Sequence, residues 1–108
     1  AASIVSKNKQ LCTPASIDSI DSSNGQEDHV SMGANAAVKA FQVINNVRMI
    51  LGIELLNASA AMRFRQGKTS PQLEHLLAEF KKTVDYTGRD EYLMPLMDRA
   101  TKFLKKEE

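Results

Sequence analysis

The feature that most constrains this chain is a helical pattern from about 26 to 66 whose second half is apolar on every side. Its apolar residues fall on all faces of the helix: Val47, Met49, Ile50, Leu51, Ile53, Leu55, Leu56, Ala58, Ala60, Ala61 and Met62. A helix that is apolar all round has to be enclosed by other helices. At ~1.5 Å per residue it would run roughly 50 Å, which is long for a compact domain of 108 residues. The pattern therefore predicts a core helix of a larger helical assembly.

An internal glycine and a polar stripe are two further features of this helix. Gly52 lies inside it, where glycine costs about 1 kcal/mol relative to alanine, and close helix packing would compensate that cost. A polar stripe precedes the apolar half, because steps of four, three and four place one set of residues on a single face: Asn35, Lys39, Gln42 and Asn46.

Two shorter amphipathic helices are predicted in 67–108. Ser70 is a good N-cap and Pro71 suits the first helical turn. The apolar stripe that follows consists of Leu73, Leu76, Leu77, Phe80 and Val84, and His75 lies off it, as expected for a solvated histidine. The other helix begins near Pro95, with an apolar face of Leu96, Met97, Ala100, Phe103 and Leu104. The predicted fold is all-α, with one long hydrophobic central helix and two shorter amphipathic helices.

Residues 1–25 are predicted to form an ordered loop that begins with the tail of a helix, from Ala1 to about Asn8. Ile17 and Ile20 give this loop apolar anchors, and 21–25 is a cluster of turn-forming residues. The organisation expected from the sequence is thus a loop at 1–25, a long core helix at 26–66 and two short helices at 67–108. A first residue other than Met suggests a fragment of a longer chain.

Composition excludes several classes of partner. The formal net charge is +1, and 25% of residues are charged, so no charge excess favours nucleic acid or an anionic membrane. One cysteine excludes an intramolecular disulfide and a thiolate zinc site, and predicts Cys12 to be a buried or idle thiol. No apolar run is long enough for a membrane span, and no signal peptide is visible. These observations predict a cytoplasmic protein.

The segment Gln26–Gly33, at the junction of loop and long helix, is the candidate functional site. Asn24 and Glu27 match a capping box, and Glu27 and Asp28 would complement a helix dipole without any catalytic role. A metal site is poorly supported, because the consecutive residues Glu27, Asp28 and His29 point in different directions on a helix. From spacing alone, both capping and a functional site remain open.

Three stretches of this chain together resemble the histidine ammonia-lyases of the aromatic amino acid lyase family. They are Pro14-Ala15-Ser16-Ile17-Asp18-Ser19-Ile20, Gln26-Glu27-Asp28-His29-Val30-Ser31-Met32-Gly33 and Ala36-Ala37. Similarity continues to the C-terminus, so the chain looks like the last fifth of such an enzyme. The resemblance implies a helical-bundle lyase fold, a homotetramer, and elimination of ammonia from L-histidine to give trans-urocanate.

The resemblance also implies roles for individual residues. Glu27 corresponds to the residue that faces the substrate side chain, with acid–base chemistry as a further possibility, and Gln26, Asp28 and His29 are supporting residues. The family's electrophile is a methylidene-imidazolone group (MIO), formed from an Ala-Ser-Gly triplet that this chain lacks. The chain by itself is therefore expected to be inactive, and no metal is expected.

Glu27 favours histidine as the substrate for a physical reason. A carboxylate accepts a charge-assisted hydrogen bond from an imidazole N–H, whereas a phenyl ring offers no donor and would leave a buried carboxylate unpaired. Two alternatives remain open at this point. One is a tyrosine or phenylalanine ammonia-lyase, or an aminomutase, on the same scaffold, and the other is a stand-alone helical oligomerisation module.

Overall fold

The computed structural model describes residues 1–17, 20–26, 30–86 and 88–106. Within these ranges the chain forms four α-helices: α1 (Ala2–Leu11), α2 (Gly33–Ala61), α3 (Pro71–Thr83) and α4 (Met94–Lys106). Two short 3-10 helices, Ser23–Gly25 and Met62–Phe64, accompany them, and the described residues include no β-strand. The predicted all-α class, with one long helix, is confirmed.

The chain divides into two compact units, Ala1–Asn46 and Val47–Glu108. The first contains α1 and the beginning of α2, and the second contains the rest of α2 with α3 and α4. The hydrophobic core of the second unit consists of Leu56, Phe80, Val84, Leu96, Ala100 and Phe103. The predicted apolar face of α4 is confirmed, since Leu96, Ala100 and Phe103 are buried and Met97 and Leu104 pack against them. The stripe of α3 is confirmed at its C-terminal end only, because Phe80 and Val84 are buried whereas Leu73 is 49% exposed.

Helix α3 is fixed at its start by its cap and at its end by the core. The Ser70 hydroxyl accepts a hydrogen bond from the Leu73 amide, and Pro71 occupies the first turn, as the sequence predicted. Phe80 is fully buried and meets Phe103 of α4 edge to face, with 5.3 Å between ring centroids and 79° between planes. Aromatic rings prefer this geometry, because the positive edge of one faces the negative face of the other.

Helix α2 contributes one face to this core, formed by Gly52, Leu56 and Ser59. A Cβ on Gly52 would lie 3.0 Å from both the amide nitrogen and the hydroxyl of Thr101, and 3.2 Å from the carbonyl carbon of Ala100. Glycine at this position therefore allows α4 to approach the backbone of α2. The close packing predicted at Gly52 is confirmed.

The short helices cover only one side of the apolar half of α2. Leu56 is 3% exposed, whereas Val47 and Leu51 are 41% and 47% exposed. The enclosure expected for a helix that is apolar all round is thus incomplete within this chain. Across the part of the chain that the structure describes, no helix is both long and apolar enough to cross a membrane.

The long helix is shorter than the predicted 26–66. It begins at Gly33, and three consecutive residues upstream, Ser23, Asn24 and Gly25, have φ angles of 53°, 60° and 78°. Such left-handed conformations cannot continue a right-handed helix. At the other end, Arg65 is extended (φ −88°, ψ 130°) and Gly67 has a φ of 95°, so the helical turns stop at Phe64.

Helix α1 spans ten residues, Ala2–Leu11, and so extends three residues beyond Asn8, the predicted end of the helix tail. Cys12 caps its C-terminal end and donates its backbone N–H to the Asn8 carbonyl at 3.1 Å. The thiol is exposed, because the residue lies in the turn after α1. Of the two predicted states, buried or idle, the buried one is therefore wrong, and the idle thiol stays a prediction. His75 on α3 is exposed, as expected.

Candidate functional site

The described part of the Gln26–Gly33 segment starts at the end of a tight turn. Gln26 is exposed and donates its backbone N–H to the Ser23 carbonyl at 3.3 Å, which closes the 3-10 helix Ser23–Gly25. Asn24 and Gly25 suit this turn, since asparagine and glycine tolerate a positive φ better than other residues. The other predicted site residues, Glu27, Asp28 and His29, lie outside the described residues.

The segment rejoins regular structure at the start of α2. The Ala36 amide donates to the Met32 carbonyl at 3.0 Å, and Gly33 is the first helical residue. Asn24 lies well upstream of this point, so it does not cap the long helix, and that part of the capping-box prediction is wrong. The cause is the left-handed turn at 23–25, which separates Asn24 from the helix start.

The polar stripe of α2 has a partner that sequence reasoning missed, namely α1 and the turn after it. The Lys39 ammonium donates to the Thr13 carbonyl at 2.7 Å. The Asn46 amide donates to the Asn8 side-chain oxygen, also at 2.7 Å, in a partly buried contact. The stripe itself was the available signal, because a row of polar residues on one face of a helix needs hydrogen-bonding partners.

Two open grooves border the Lys39–Thr13 contact. One has a volume of about 570 Å³ and includes Asn35, Val38 and Gln42 in its lining. The other, of about 370 Å³, includes Ala36, Ala40 and Val43 instead. Lys39 and the turn at Thr13 line both grooves. The Lys39–Thr13 contact therefore lies at the surface, exposed to solvent and bordered by both grooves.

Electrostatic perturbation is seen on α3, away from the candidate segment in sequence. The Lys82 ammonium donates to the Glu79 carboxylate at 2.6 Å, and this hydrogen bond, with the charge of Lys82, lowers the pKa of Glu79. The two side chains are 70% and 45% exposed, which is typical of a surface ion pair one helical turn apart. Among the described residues, no group of three histidine, cysteine, aspartate or glutamate side chains is arranged to hold a metal ion.

Comparison with known proteins gives the family. The family model for aromatic amino acid lyases matches residues 1–82, which cover α1, α2 and most of α3. The chain belongs to the aromatic amino acid lyase family. The resemblance seen at Pro14–Ile20 and Gln26–Gly33 is thereby confirmed.

The relatives of this lyase-family chain include several bacterial proteins named histidine ammonia-lyase. The chain is 44% identical to the one from Halalkalibacterium halodurans over 97% of its own length and 21% of that protein. It is 44% identical to the one from Bacillus subtilis over 99% of its length and 21% of that protein. The chain therefore spans about a fifth of the length of these relatives.

A solved structure has the same fold. The crystal structure of histidine ammonia-lyase from Trypanosoma cruzi superposes with a TM-score of 0.90 at 39% identity. The match covers 97% of this chain and 21% of that one. The helical architecture described above is thus that of a segment of an aromatic amino acid lyase.

Proposed function

We propose that this chain is the C-terminal segment of a histidine ammonia-lyase. The observation that carries the proposal is its 44% identity, over nearly its whole length, to proteins of that name. The Gln26-Glu27-Asp28-His29 run supports the same substrate. In the proposed reaction L-histidine loses ammonia from Cα and a proton from Cβ, and a Cα=Cβ double bond forms to give trans-urocanate.

Glu27 is the residue of this chain that we assign to the substrate. Its carboxylate accepts a hydrogen bond from the imidazole N–H of the bound histidine, and a hydrogen bond to a charged acceptor is about twice as strong as a neutral one. Gln26, Asp28 and His29 support the segment that carries it. This assignment rests on sequence, since Glu27 lies outside the described residues.

Electrophilic activation of the substrate in this family is supplied by MIO, which is formed from an Ala-Ser-Gly triplet. The chain contains Ala-Ser at 2–3, 15–16 and 58–59, and each pair is followed by Ile or Ala. Its own residues therefore cannot form the group, and the chemistry at the electrophile belongs to another part of the enzyme. By family resemblance the complete enzyme is a homotetramer in the cytoplasm.

The purified 108-residue chain is expected to have no ammonia-lyase activity, because it lacks the triplet that forms the electrophile. The measurement is urocanate absorbance after incubation with L-histidine at high protein concentration. Turnover that co-purifies with the chain through several separations would contradict the proposal.

In the complete enzyme, Glu27→Gln should lower kcat/KM for histidine by about one to a few orders of magnitude, since a hydrogen bond to a charged group contributes about 1.5–3 kcal/mol. Relative activity on phenylalanine should rise, because the carboxylate that a phenyl ring leaves unpaired is gone. Steady-state kinetics on both substrates measure the change.

Glu91→Gln is the matched control, because Glu91 is an exposed glutamate in the connection between α3 and α4, outside the apolar helix, and undergoes the same substitution. It should leave both activities unchanged. If Glu27→Gln lowers the melting temperature but keeps kcat/KM, Glu27 serves only to stabilise the fold. A complete enzyme that prefers phenylalanine or tyrosine to histidine would instead place it among the sister lyases.

A further inference from the structure

An apolar groove of about 220 Å³ lies between the end of α2 and the beginning of α3, within the second unit. Leu55 and Ala58 of α2 line one side, and Leu73 and Leu77 of α3 line the other. Leu73, the residue of the α3 stripe that the core leaves 49% exposed, is part of this lining. The N-terminal half of the stripe therefore borders an open groove instead of a packed core.

The groove is held in shape by the core beneath it and by the connection from α2 to α3. Leu55 and Leu76 line the groove and also pack against the hydrophobic core. In the connection, the Thr69 amide donates to the Glu74 carboxylate at 2.9 Å, next to the Ser70 cap of α3. A groove that is already formed binds a ligand at a low entropic cost, because little of the protein has to be ordered.

Two side chains of the connection, Arg65 and Thr69, give this apolar groove a polar edge. Arg65 is exposed and Thr69 is half-buried. Across the described residues, neither the Arg65 guanidinium nor the Thr69 hydroxyl is hydrogen-bonded, and the Glu74 carboxylate is engaged by the Thr69 amide. The edge thus offers a cation and a hydroxyl to an anionic group, and a guanidinium fits a carboxylate best, since it can bind both oxygens at once.

The volume and lining of the groove define the apolar part of the ligand. An apolar cavity of about 150 Å³ binds benzene, which has six carbons. By proportion, 220 Å³ suits an apolar group of about six to nine carbons. The apolar lining consists of leucine, methionine and alanine, without an aromatic ring on which a planar ligand could stack, so an aliphatic chain fits it best.

We infer that this groove is a binding site for a medium-chain aliphatic carboxylate, whose chain lies between Leu55 and Leu77 and whose carboxylate meets Arg65 and Thr69. The inference does not depend on the function proposed for Glu27, because the groove lies in the second unit and none of its lining residues comes from 26–33.

Octanoate is the probe, and NMR of the leucine and methionine methyl groups of the 108-residue chain locates it. Saturable shifts are expected at Leu73 and Leu77, and none at Met94, an exposed apolar residue outside the groove. Octanol has the same chain without a charge, and octylammonium has the opposite charge. Both should bind about tenfold more weakly than octanoate, as expected for the loss of one hydrogen bond between charged groups.

Arg65→Gln tests the polar edge. It removes the cation, so it should weaken octanoate binding about tenfold and leave octanol binding unchanged. Arg89→Gln is the matched control, because Arg89 is an exposed arginine that does not line the groove. It should change neither affinity.

Ala58→Leu tests the apolar part, because the larger side chain fills the groove from α2. It should abolish the binding of octanoate and octanol alike. Ala58 is exposed, so the core should stay intact, and circular dichroism checks the helix content. Ala61→Leu is the matched control, since Ala61 is an exposed alanine of α2 outside the groove, and it should leave both affinities unchanged.

Several results would overturn the inference. Shifts that rise without saturation and appear equally at Met94 would mean that octanoate adsorbs to any exposed apolar surface. Equal affinities for octanoate and octylammonium would remove the role of Arg65. If the methyl groups of Leu73 and Leu77 shift with protein concentration when no ligand is present, a second copy fills the groove and the assignment to a carboxylate is wrong.

Discussion

At the scale of single residues, Gly52 and Lys39 show two different ways in which α2 holds a neighbouring segment. Gly52 works through the absence of a side chain, which brings α4 within about van der Waals distance of the α2 backbone. Lys39 works through the length and charge of its side chain, which reaches a carbonyl 26 positions away in sequence. One contact depends on shape and the other on charge, so they should respond to different substitutions.

Gly52→Ala should lower the free energy of unfolding by up to about 2 kcal/mol. A Cβ 3.0 Å from the Thr101 nitrogen forces a shift, and overpacking of this kind typically costs about 1–3 kcal/mol. The better helix propensity of alanine offsets about 1 kcal/mol of that loss. Urea unfolding followed by circular dichroism measures the net change.

Gly33→Ala is the control for this substitution. A Cβ on Gly33 would meet the Ser31 hydroxyl at 3.5 Å, an ordinary contact, so stability should stay the same or rise slightly. Equal losses in the two variants would mean that the crossing at Gly52 is not close in solution.

Sequence reasoning reached these residues to different degrees. Gly52 was predicted as a packing position, because a glycine inside an apolar helix has a cost that something must compensate. Lys39 and Asn46 were placed correctly on one polar face, yet their partners Thr13 and Asn8 were not found. Helical periodicity reports which residues share a face, and it does not report which distant segment lies against that face.

At the scale of helices, α3 and α4 form the best-packed pair of the C-terminal unit. Their stripes were predictable because apolar residues recur at helical spacing, and the Ser70-Pro71 start was predictable from capping chemistry. The start of α2 was not predictable, because the polar residues at 24–28 resemble the start of a helix. The left-handed conformations at Ser23 and Asn24 prevent the helix from starting there. A serine seldom adopts a positive φ, so the residue type did not indicate the conformation at Ser23.

Phe80→Ala should destabilise the pairing of α3 with α4 by about 3–5 kcal/mol, the range for truncating a buried phenylalanine. Phe80 is fully buried and would also leave Phe103 without its edge-to-face partner. Thermal unfolding should show a transition at much lower temperature, or none.

Phe64→Ala provides the comparison, since Phe64 is 91% exposed. Its truncation should change stability by less than about 0.5 kcal/mol, as for most surface substitutions. A similar loss in both variants would indicate that Phe64 is covered in solution, by another copy or by another part of the chain.

At the scale of the whole molecule, the chain exposes apolar surface that its own helices do not cover. Val47 and Leu51 in the second unit are 41% and 47% exposed, and Val38, Phe41 and Ile44 in the first are 50–65% exposed. The match to about a fifth of each lyase relative accords with such surface, because a segment of a larger helical protein is expected to present faces that the remainder would bury.

The isolated chain is expected to self-associate, with the stretch from Met49 to Met62 in the contact. Each large apolar side chain that becomes buried contributes about 1.5–3 kcal/mol, and closed symmetric dimers or tetramers are the common outcome. Light scattering at several concentrations should give a mass above 11.9 kDa. Leu51→Lys should shift the equilibrium towards the monomer.

Phe64→Ser is the control for Leu51→Lys, because Phe64 is an exposed apolar residue that lies beyond the end of α2. It tests whether self-association depends on α2 or on exposed apolar residues in general. It should leave self-association unchanged. A wild-type chain that is folded and monomeric at every concentration would show that α2 needs no partner.

The crossing at Gly52 also limits how this sequence can diverge. Many clashes in a core are relieved when a neighbouring residue becomes smaller, so that the two positions change together over generations. Here the neighbours include the nitrogen of Thr101 and the carbonyl carbon of Ala100. Both are main-chain atoms, so they stay in place whichever amino acids occupy positions 100 and 101. Shortening Thr101 removes its hydroxyl and leaves the nitrogen in place. A side chain at position 52 is therefore accommodated only by a movement of the α4 backbone of a few tenths of an ångström, and no substitution at 100 or 101 replaces that movement.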